Sequence, residues 1–157
     1  MTIEVESPED WWDVEALYDL CFSPGRSALS SYRLRDGVAP IAPLCLVARD
    51  DLNIVTGAIR FWPILIDDHQ ALLLGPIAVH PTHQGEGLGG ALMREGLDRA
   101  RDFARPVLLV GDAPYYARFG FEKRTGVEMP PPTNPDRILG FGTWNGIEGR
   151  VRRAEHD

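Results

Sequence analysis

The stretch from Leu72 to Met93 reads LLLGPIAVHPTHQGEGLGGALM, and the rest of the chain is interpreted outward from it. Its first part, through Val79, is an apolar run typical of a buried strand. Four glycines fall within residues 85–90, and a pattern typical of an amphipathic helix follows them. Glycines between a strand and a helix let a ligand approach the backbone, and the helix N-terminus adds partial positive charge. The pattern therefore predicts a cradle for an anion, most often a phosphate.

The composition is that of an ordinary globular protein. Of 157 residues, 44% are hydrophobic and 25% are charged, so we expect one domain over residues 1–157 with a sizeable core. The net charge of −7 argues against a general nucleic-acid binder and is compatible with an amine substrate. The sequence shows no signal peptide and no membrane-length apolar run, which predicts a cytoplasmic protein without a membrane partner. Cys21 and Cys45 lack metal-ligand spacing, so packing roles are expected for both.

The part of the chain before the glycines predicts a strand, two helices and an antiparallel meander. Alternating residues over 2–6 favour a first strand, and Ser7-Pro8 begins a helix that ends after Cys21. A shorter helix is expected over Ser27–Arg35. Short turns join strands over Leu44–Ala48 and Ile54–Ile64 to the strand that ends at Val79, and such turns indicate antiparallel neighbours.

The part after the glycines predicts a crossover to a parallel strand. An amphipathic helix ends before Pro106, and the apolar run Val107–Val110 fits a parallel partner of the strand that ends at Val79. A short helix over residues 115–119 leads into another strand. Prolines make residues 129–135 irregular, a last strand is expected over Arg137–Trp144, and the charged tail from Glu148 is expected to be frayed.

Two other phosphate-binding motifs compete for the glycine stretch. A Walker loop must end in Gly-Lys-Ser/Thr, and Ala91 follows the last glycine here, so that motif is excluded. The dinucleotide fingerprint G-x-G-x-x-G is present at Gly85, Gly87 and Gly90, with Asp112 about 20 residues downstream. Residues 81–84 separate the strand from the first glycine, and an antiparallel meander precedes it. A nicotinamide-dependent oxidoreductase is therefore the less favoured alternative.

The glycine stretch also belongs to a longer resemblance. Residues 84–89 have the pattern Gln-x-x-Gly-x-Gly, which resembles the acetyl-CoA signature of the GCN5-related N-acetyltransferase (GNAT) family. Residues 76–81 resemble the central strand of that family. Residues 111–121, GDAPYYARFGF, resemble its second cofactor motif, with Tyr116 four residues ahead of Gly120-Phe121. The order of elements over residues 3–125 matches too. Residues 115–121, YYARFGF, most resemble the YhbS-like bacterial branch of the family.

The resemblance implies an α/β GNAT fold, in which a mixed and mostly antiparallel central sheet carries a parallel pair splayed at the cofactor site, with flanking helices. It implies acetyl-CoA as co-substrate and no metal. Backbone N–H groups of the glycine stretch would bind the pyrophosphate, and the strand before it would pair with the pantetheine arm. An amide of Ile77 or Ala78 would also polarise the thioester carbonyl. The implied cofactor-binding residues are Ile77, Ala78, Val79, Gln84, Gly85, Glu86, Gly87, Leu88, Gly89 and Gly90.

Tyr116 matches the position of the tyrosine that protonates the departing thiolate in many members of the family, and its neighbour Tyr115 ranks lower. A phenol suits this role because it is neutral at pH 7 and donates a hydrogen bond. No general base is assigned: His80, His83 and Asp112 are available, and a water chain is an equal alternative. Packing near the phenylalanines is the other explanation for Tyr116.

The implied activity is transfer of an acetyl group to a primary amine by direct attack in a ternary complex. The acceptor would be a small molecule or a peptide, and a homodimer is left open. Acceptor contacts are expected from Arg26–Tyr32 and Pro130–Arg137. Four tryptophans could wall the acceptor pocket, although core or surface packing is the favoured explanation for each; they are Trp11, Trp12, Trp62 and Trp144. The alternative is a catalytically idle GNAT fold that serves as an acyl-CoA-binding regulatory module.

Overall fold

The computed structural model describes residues 1–22 and 33–154. Within them lie three α-helices: α1 (Trp11–Cys21), α2 (Leu88–Ala100) and α3 (Ala113–Tyr116). The strands of the same residues are β1 (Thr2–Val5), β2 (Leu46–Arg49), β3 (Val55–Ile66), β4 (His69–Val79), β5 (Val107–Val110), β6 (Glu122–Lys123), β7 (Val127–Glu128), β8 (Ile138–Phe141) and β9 (Gly149–Arg153).

The sheet follows the order β1-β2-β3-β4-β5-β8-β6. The strands β1 to β4 are antiparallel neighbours, which confirms the predicted meander. β4 and β5 run parallel, which confirms the predicted crossover, and β8 lies between β5 and β6. A dinucleotide-binding domain needs a mainly parallel sheet, so the sheet contradicts that alternative. The mixed, mostly antiparallel sheet with flanking helices confirms the predicted α/β fold class.

Helices cover the sheet on both faces because apolar side chains alternate along its central strands. Ile59 and Phe61 of β3 belong to the core formed with α2, together with Leu92 and Leu97 of that helix. On the opposite face, Ala58 packs with the apolar side of α1. Apolar clusters thus lie on both faces of β3 and β4, and a third cluster of the described residues surrounds Trp62 and Ile64 of β3.

Two glycines let α2 lie close to β3. A Cβ atom at Gly57 would lie 2.8 Å from Leu92 Cδ1, and one at Gly96 would lie 2.9 Å from Phe61 Cε1. Both distances are shorter than a real Cβ contact allows. The close packing of α2 on β3 therefore requires glycine at both positions. β3 also carries one extra residue, Thr56, directly beside Gly57, where its register with β2 shifts.

The expectation of a frayed tail from Glu148 is wrong for Gly149–Arg153. These residues form β9, which pairs antiparallel with residues 64–66 of β3 and parallel with β7. Val151 is buried, and it is the only apolar side chain of β9, where three arginines surround it, so the sequence pattern did not indicate a strand. The preceding strand is also shorter than the predicted Arg137–Trp144. It spans Ile138–Phe141, because residues 135–137 form a 3-10 turn and Gly142 takes a positive φ of 89°.

Two predictions fall on residues that the structure does not describe. The predicted helix Ser27–Arg35 and the acceptor loop Arg26–Tyr32 lie mostly or wholly within residues 23–32. The irregular segment predicted over 129–135 is confirmed for residues 129–134, which contain no helix or strand.

Candidate active site

β4 carries one extra residue in the middle of its pairing with β3. Ile59 pairs with Ile77, but Phe61 pairs with Leu74, which places a bulge at Gly75-Pro76. Both carbonyls of the bulge accept hydrogen bonds from the α1 face of the sheet. Trp62 Nε1 donates to Gly75 O at 2.8 Å, and the Tyr18 hydroxyl donates to Pro76 O at 3.0 Å.

The register beyond the bulge decides which amides point away from β3. The His80 N–H donates to Thr56 O at 2.8 Å. Because bonded and non-bonded pairs alternate in an antiparallel ladder, Ala78 directs its N–H and C=O toward β3, while Ile77 and Val79 direct theirs away. The Val79 carbonyl fits this alternation, since it accepts hydrogen bonds from Gln84 Nε2 (3.1 Å) and Cys21 Sγ (3.3 Å).

The polar groups of Ile77 and Val79 face a gap between β4 and β5. The two strands pair only at Leu72–Val107 and Leu73–Leu108. β5 continues to Val110 with β8 as its partner on the other side, and β4 continues to Val79. The predicted splay of the parallel pair is therefore present. It leaves an extended backbone edge inside the sheet, of the kind that accepts an added strand.

The glycine turn joins β4 to α2 with its backbone exposed. Gly85 and Gly87 have positive φ of 86° and 80°, and an added Cβ at either position would meet no atom within 4 Å. Gly87 is the N-cap of α2 and supplies no side-chain cap. The first helical hydrogen bond runs from Ala91 N–H to Gly87 O, so the helix itself leaves the N–H groups of residues 88–90 unbonded. The geometry is that of an anion cradle open to solvent.

The acidic and basic side chains beside the turn are accounted for locally. Glu86 is exposed, and its Oε2 lies 3.2 Å from His83 Nδ1. His80 Nδ1 lies 2.8 Å from Thr82 Oγ1 and caps the short turn over residues 81–83. Neither histidine is therefore presented to the gap as an obvious base, and the general base stays unassigned.

Tyr116 ends α3 beside the gap. Its ring packs against the core cluster that Ile77 and Val79 also contact. It lies 6.0 Å from the ring of Phe121 and 4.9 Å from that of Tyr115. Burial raises the pKa of the Tyr116 phenol, Tyr115 and Asp112 raise it further, and Arg137 lowers it. The phenol is therefore a neutral proton donor throughout the physiological pH range.

The absence of a side chain at Gly111 leaves room for the Tyr116 ring. A Cβ atom at Gly111 would lie 2.5 Å from Tyr116 Cε2, so no side chain fits between the end of β5 and the ring. No hydrogen bond joins the Tyr116 hydroxyl to another residue in the part of the chain that the structure describes. The exposed fraction of Tyr115 is 41%, and its ring instead stacks with Arg118 at 4.5 Å.

A cavity of about 430 Å³ runs between α2 and the segment after α3. Three arginines line it (Arg94, Arg101 and Arg118), together with the ring of Phe119, over which the Arg94 guanidinium lies at 5.4 Å. Sequence analysis assigned no role to these residues. The available signal was the seven-residue spacing of Arg94 on α2 and Arg101 in the 3-10 turn that directly follows it.

A second cavity of about 410 Å³ opens on the α1 face, beside the bulge of β4. Pro76, Trp11 and Trp62 line it with charged side chains of both signs. Of the other two tryptophans, Trp12 is exposed and Trp144 is buried. The segment 130–137, expected to contact the acceptor, reaches the rim through Pro131 O, which accepts a hydrogen bond from Arg33 Nη1 at 2.9 Å. The first cavity lies on the α2 face of the sheet and the second on the α1 face.

The described residues contain neither a candidate metal site nor a candidate membrane-spanning helix. Within residues 1–22 and 33–154, no group of three or more histidine, cysteine, aspartate or glutamate side chains could hold a metal ion. In the same residues no helix has the length and apolar character needed to cross a membrane. Cys21 and Cys45 are both free thiols, and burial raises the pKa of Cys45 to about 11.

Comparison with known proteins gives one consistent family. A family model described as "Acetyltransferase (GNAT) domain" matches residues 42–123. The uncharacterized N-acetyltransferase YhbS of Escherichia coli K12 is 32% identical over 166 aligned positions, which cover 99% of this chain and 98% of that protein. The crystal structure of E. coli YhbS in complex with CoA superposes with a TM-score of 0.82 at 31% identity, covering 99% of this chain and 90% of that one.

A second solved structure agrees. A GNAT family acetyltransferase from Brucella melitensis, crystallised with acetyl-CoA, has a TM-score of 0.72 and 31% identity over 98% of this chain and 95% of that one. The full-length identity to YhbS and the family model both exceed what a shared fold alone would produce. The chain belongs to the GNAT family of N-acetyltransferases.

Proposed function

We propose that the protein transfers an acetyl group from acetyl-CoA to a primary amine by direct attack in a ternary complex. The observation that carries the proposal is the gap between β4 and β5, which ends at the uncapped glycine turn of α2. Two relatives at 31% identity, with the same fold, were crystallised with CoA or acetyl-CoA. The donor would reach the gap from the α2 face, and the amine from the α1 face.

The glycine turn is proposed to bind the pyrophosphate. The N–H groups of residues 88–90 have no partner within the helix, and the helix dipole adds positive potential there. The pantetheine arm would pair with the outward-facing amides of Ile77 and Val79. Gln84 would act indirectly, because its side chain is bonded to Val79 O and holds the turn against the end of β4.

The arginine-lined cavity beside α2 is proposed to hold the nucleotide end of the donor. Arg94 lies one to two helical turns from residues 88–90, a span of about 6–9 Å at 1.5 Å per residue. That span suits the distance from a pyrophosphate to the adenosine. Phe119 offers a flat ring for the adenine, and Arg94 and Arg118 offer charge for the 3′-phosphate.

Catalysis requires a donor for the oxyanion and an acid for the sulfur. Of the two amides considered from the sequence, the register supports Ile77, whose N–H faces the gap, over Ala78, whose N–H faces β3. The amine nitrogen forms a bond to the thioester carbon, and the carbon–sulfur bond then breaks. The Tyr116 hydroxyl gives its proton to the leaving thiolate and regains a proton from solvent before the next turnover. The proton lost by the nitrogen goes to solvent, since no carboxylate stands on β4 between Leu72 and Val79.

The experiment that tests the proposal combines binding with turnover. Calorimetric titration with acetyl-CoA measures binding, and release of the CoA thiol over a panel of primary amines measures transfer. Binding together with amine-dependent thiol release supports the enzyme. Binding without release on any amine would favour the regulatory alternative, and absence of binding would refute both.

A further inference from the structure

The cavity beside the bulge of β4 has a chemical character that narrows the acceptor. Its volume of about 410 Å³ fits a small molecule or the end of a peptide rather than a folded surface. Its walls include the rings of Trp11 and Trp62, and the side chains of Glu15, Asp36, Arg33, Arg35 and Arg60 carry its charges. A cavity with both signs of charge and aromatic walls suits a ligand that carries both signs itself.

The Arg60 guanidinium forms ion pairs within the protein. Its Nε and Nη2 each lie 3.0 Å from the carboxylate of Glu6, and its Nη1 lies 2.9 Å from Glu15 Oε2. The guanidinium also lies between the rings of Trp11 (4.1 Å) and Tyr18 (5.3 Å). All three nitrogens are thus engaged, and this charge is balanced by residues around it.

Arg35 occupies a different position, at the bulge itself. Its exposed fraction is 9%, and its guanidinium lies 5.4 Å from the centre of the Trp62 ring. Its Nη2 would lie 3.7 Å from a Cβ atom on Gly75. Trp62 in turn donates its N–H to Gly75 O, so the stacked pair is fixed against the bulge. The planar fork of an arginine held in this way matches a carboxylate.

We infer that the acceptor is a small amine that carries a carboxylate, with the carboxylate bound by Arg35 and the nitrogen at the gap beside Ile77. The inference rests on the proposed transfer reaction and names its substrate class. Gly75 and Ile77 are two residues apart, at most about 7 Å along an extended strand. The carboxylate and the attacking nitrogen are therefore separated by a few ångströms, the spacing of an α-amino acid or a short ω-amino acid.

The acids of the cavity complement this arrangement. Asp36, which is exposed at the edge of the cavity, attracts the incoming ammonium group, whereas Glu15 is paired with Arg60. Arg35, close to the point of attack, lowers the pKa of the bound amine and favours its neutral, nucleophilic form. Arg35 is thus a specificity residue that acts on the acceptor and leaves the donor untouched.

The test compares each amino acid with its own amide and its decarboxylated amine, which keep the nitrogen and remove the negative charge. Thiol release is followed for the wild type, Arg35→Gln and Arg35→Lys, and the same substitution at the exposed Arg150 of β9, Arg150→Gln, is the control. We expect kcat/KM at least tenfold higher for the best amino acid than for its amide. Arg35→Gln should remove that preference mainly through KM, with Arg35→Lys intermediate and the Kd for acetyl-CoA unchanged. Arg150→Gln should match the wild type.

A binding arm separates this inference from the transfer reaction. Saturation-transfer NMR of the CoA-loaded protein detects bound amino acids without turnover. Amino acids that bind the wild type and not Arg35→Gln, in a protein that transfers nothing, would support the ligand class and refute the transferase proposal. Transfer to amides or decarboxylated amines as fast as to the amino acids would overturn the inference in the wild type alone. A preference for amino acids that Arg35→Gln leaves intact would overturn the role of Arg35.

Discussion

Substituting Gly87 by alanine separates the role of the glycine turn in binding from its role in folding. Gly87 has φ = 80°, and a Cβ atom there meets nothing within 4 Å. The methyl group therefore clashes with no protein atom and points into the space assigned to the pyrophosphate. Alanine with positive φ costs about 1–2 kcal/mol, and the loss of unfolded-chain entropy offsets about 0.4–1 kcal/mol of that cost. We expect the free energy of unfolding to fall by about 1 kcal/mol, a loss of roughly 2–4 °C in Tm.

The effect on acetyl-CoA should be larger and specific. A methyl group that holds the phosphate away from one or two backbone N–H groups removes hydrogen bonds worth about 1.5–3 kcal/mol each. The Kd should then rise at least about tenfold. Gly146 is the matched control: its φ is 72°, a Cβ there also meets nothing within 4 Å, and it lies in the turn after β8, at the far end of β5. Gly146→Ala should lose the same stability and keep the affinity.

Calorimetric titration with acetyl-CoA and thermal unfolding of the three proteins give both quantities. If Gly87→Ala binds acetyl-CoA within twofold of the wild type, while its Tm falls as far as that of Gly146→Ala, the pyrophosphate does not lie at Gly87. The reasoning from the open turn would then be refuted.

Three further substitutions or conditions probe separate features. Tyr116→Phe should lower kcat at least about tenfold and leave the Kd for acetyl-CoA within twofold, because only the proton donor is lost. If turnover and acetyl-CoA affinity fall by the same factor, Tyr116 has a packing role instead. Gly57→Ala should lower the free energy of unfolding by about 1–3 kcal/mol, since its Cβ would lie 2.8 Å from Leu92 Cδ1, and an unchanged denaturation midpoint would show that α2 shifts freely. Burial raises the pKa of Cys45 from 9.0 to about 11. The thiol of the native protein should therefore resist alkylation at pH 8, which mass spectrometry measures. The stability from keeping Cys45 neutral is present below pH 9 and declines as the pH rises through 11, and labelling as fast as in the unfolded chain would contradict its burial.

The sequence signals for the proposed donor site are local. The glycine turn, the strand before it and the Tyr116 segment each lie within a dozen residues, and their physics depends on backbone conformation and short spacing. What the sequence could not decide was the choice between Ile77 and Ala78. That choice depends on the ladder register beyond the bulge at Gly75-Pro76, and register is a property of two paired strands.

The proposed acceptor cavity could not be assembled from the sequence. Trp11, Arg35 and Pro76 come from three distant segments, and only the packing of α1 across β3 and β4 brings them to one cavity. One signal was available: Arg60 stands inside the otherwise apolar run of β3, and a charge in a buried strand implies partners that pair with it. Its partners, Glu6 and Glu15, lie more than 40 residues away and could not be identified by spacing.

The pairing of β9 with β3 has a consequence for how the chain folds. Ile64 and Arg153 face each other in this ladder although more than half of the chain separates them. Closing so long a loop costs entropy before the contact returns any energy, and it slows folding relative to the local hairpin of β3 and β4. During synthesis, the outer end of β3 waits without this neighbour until residues 149–153 leave the ribosome. Until then the backbone of residues 64–66 lacks its β9 partner, and an unpaired strand edge of this kind can pair with another chain.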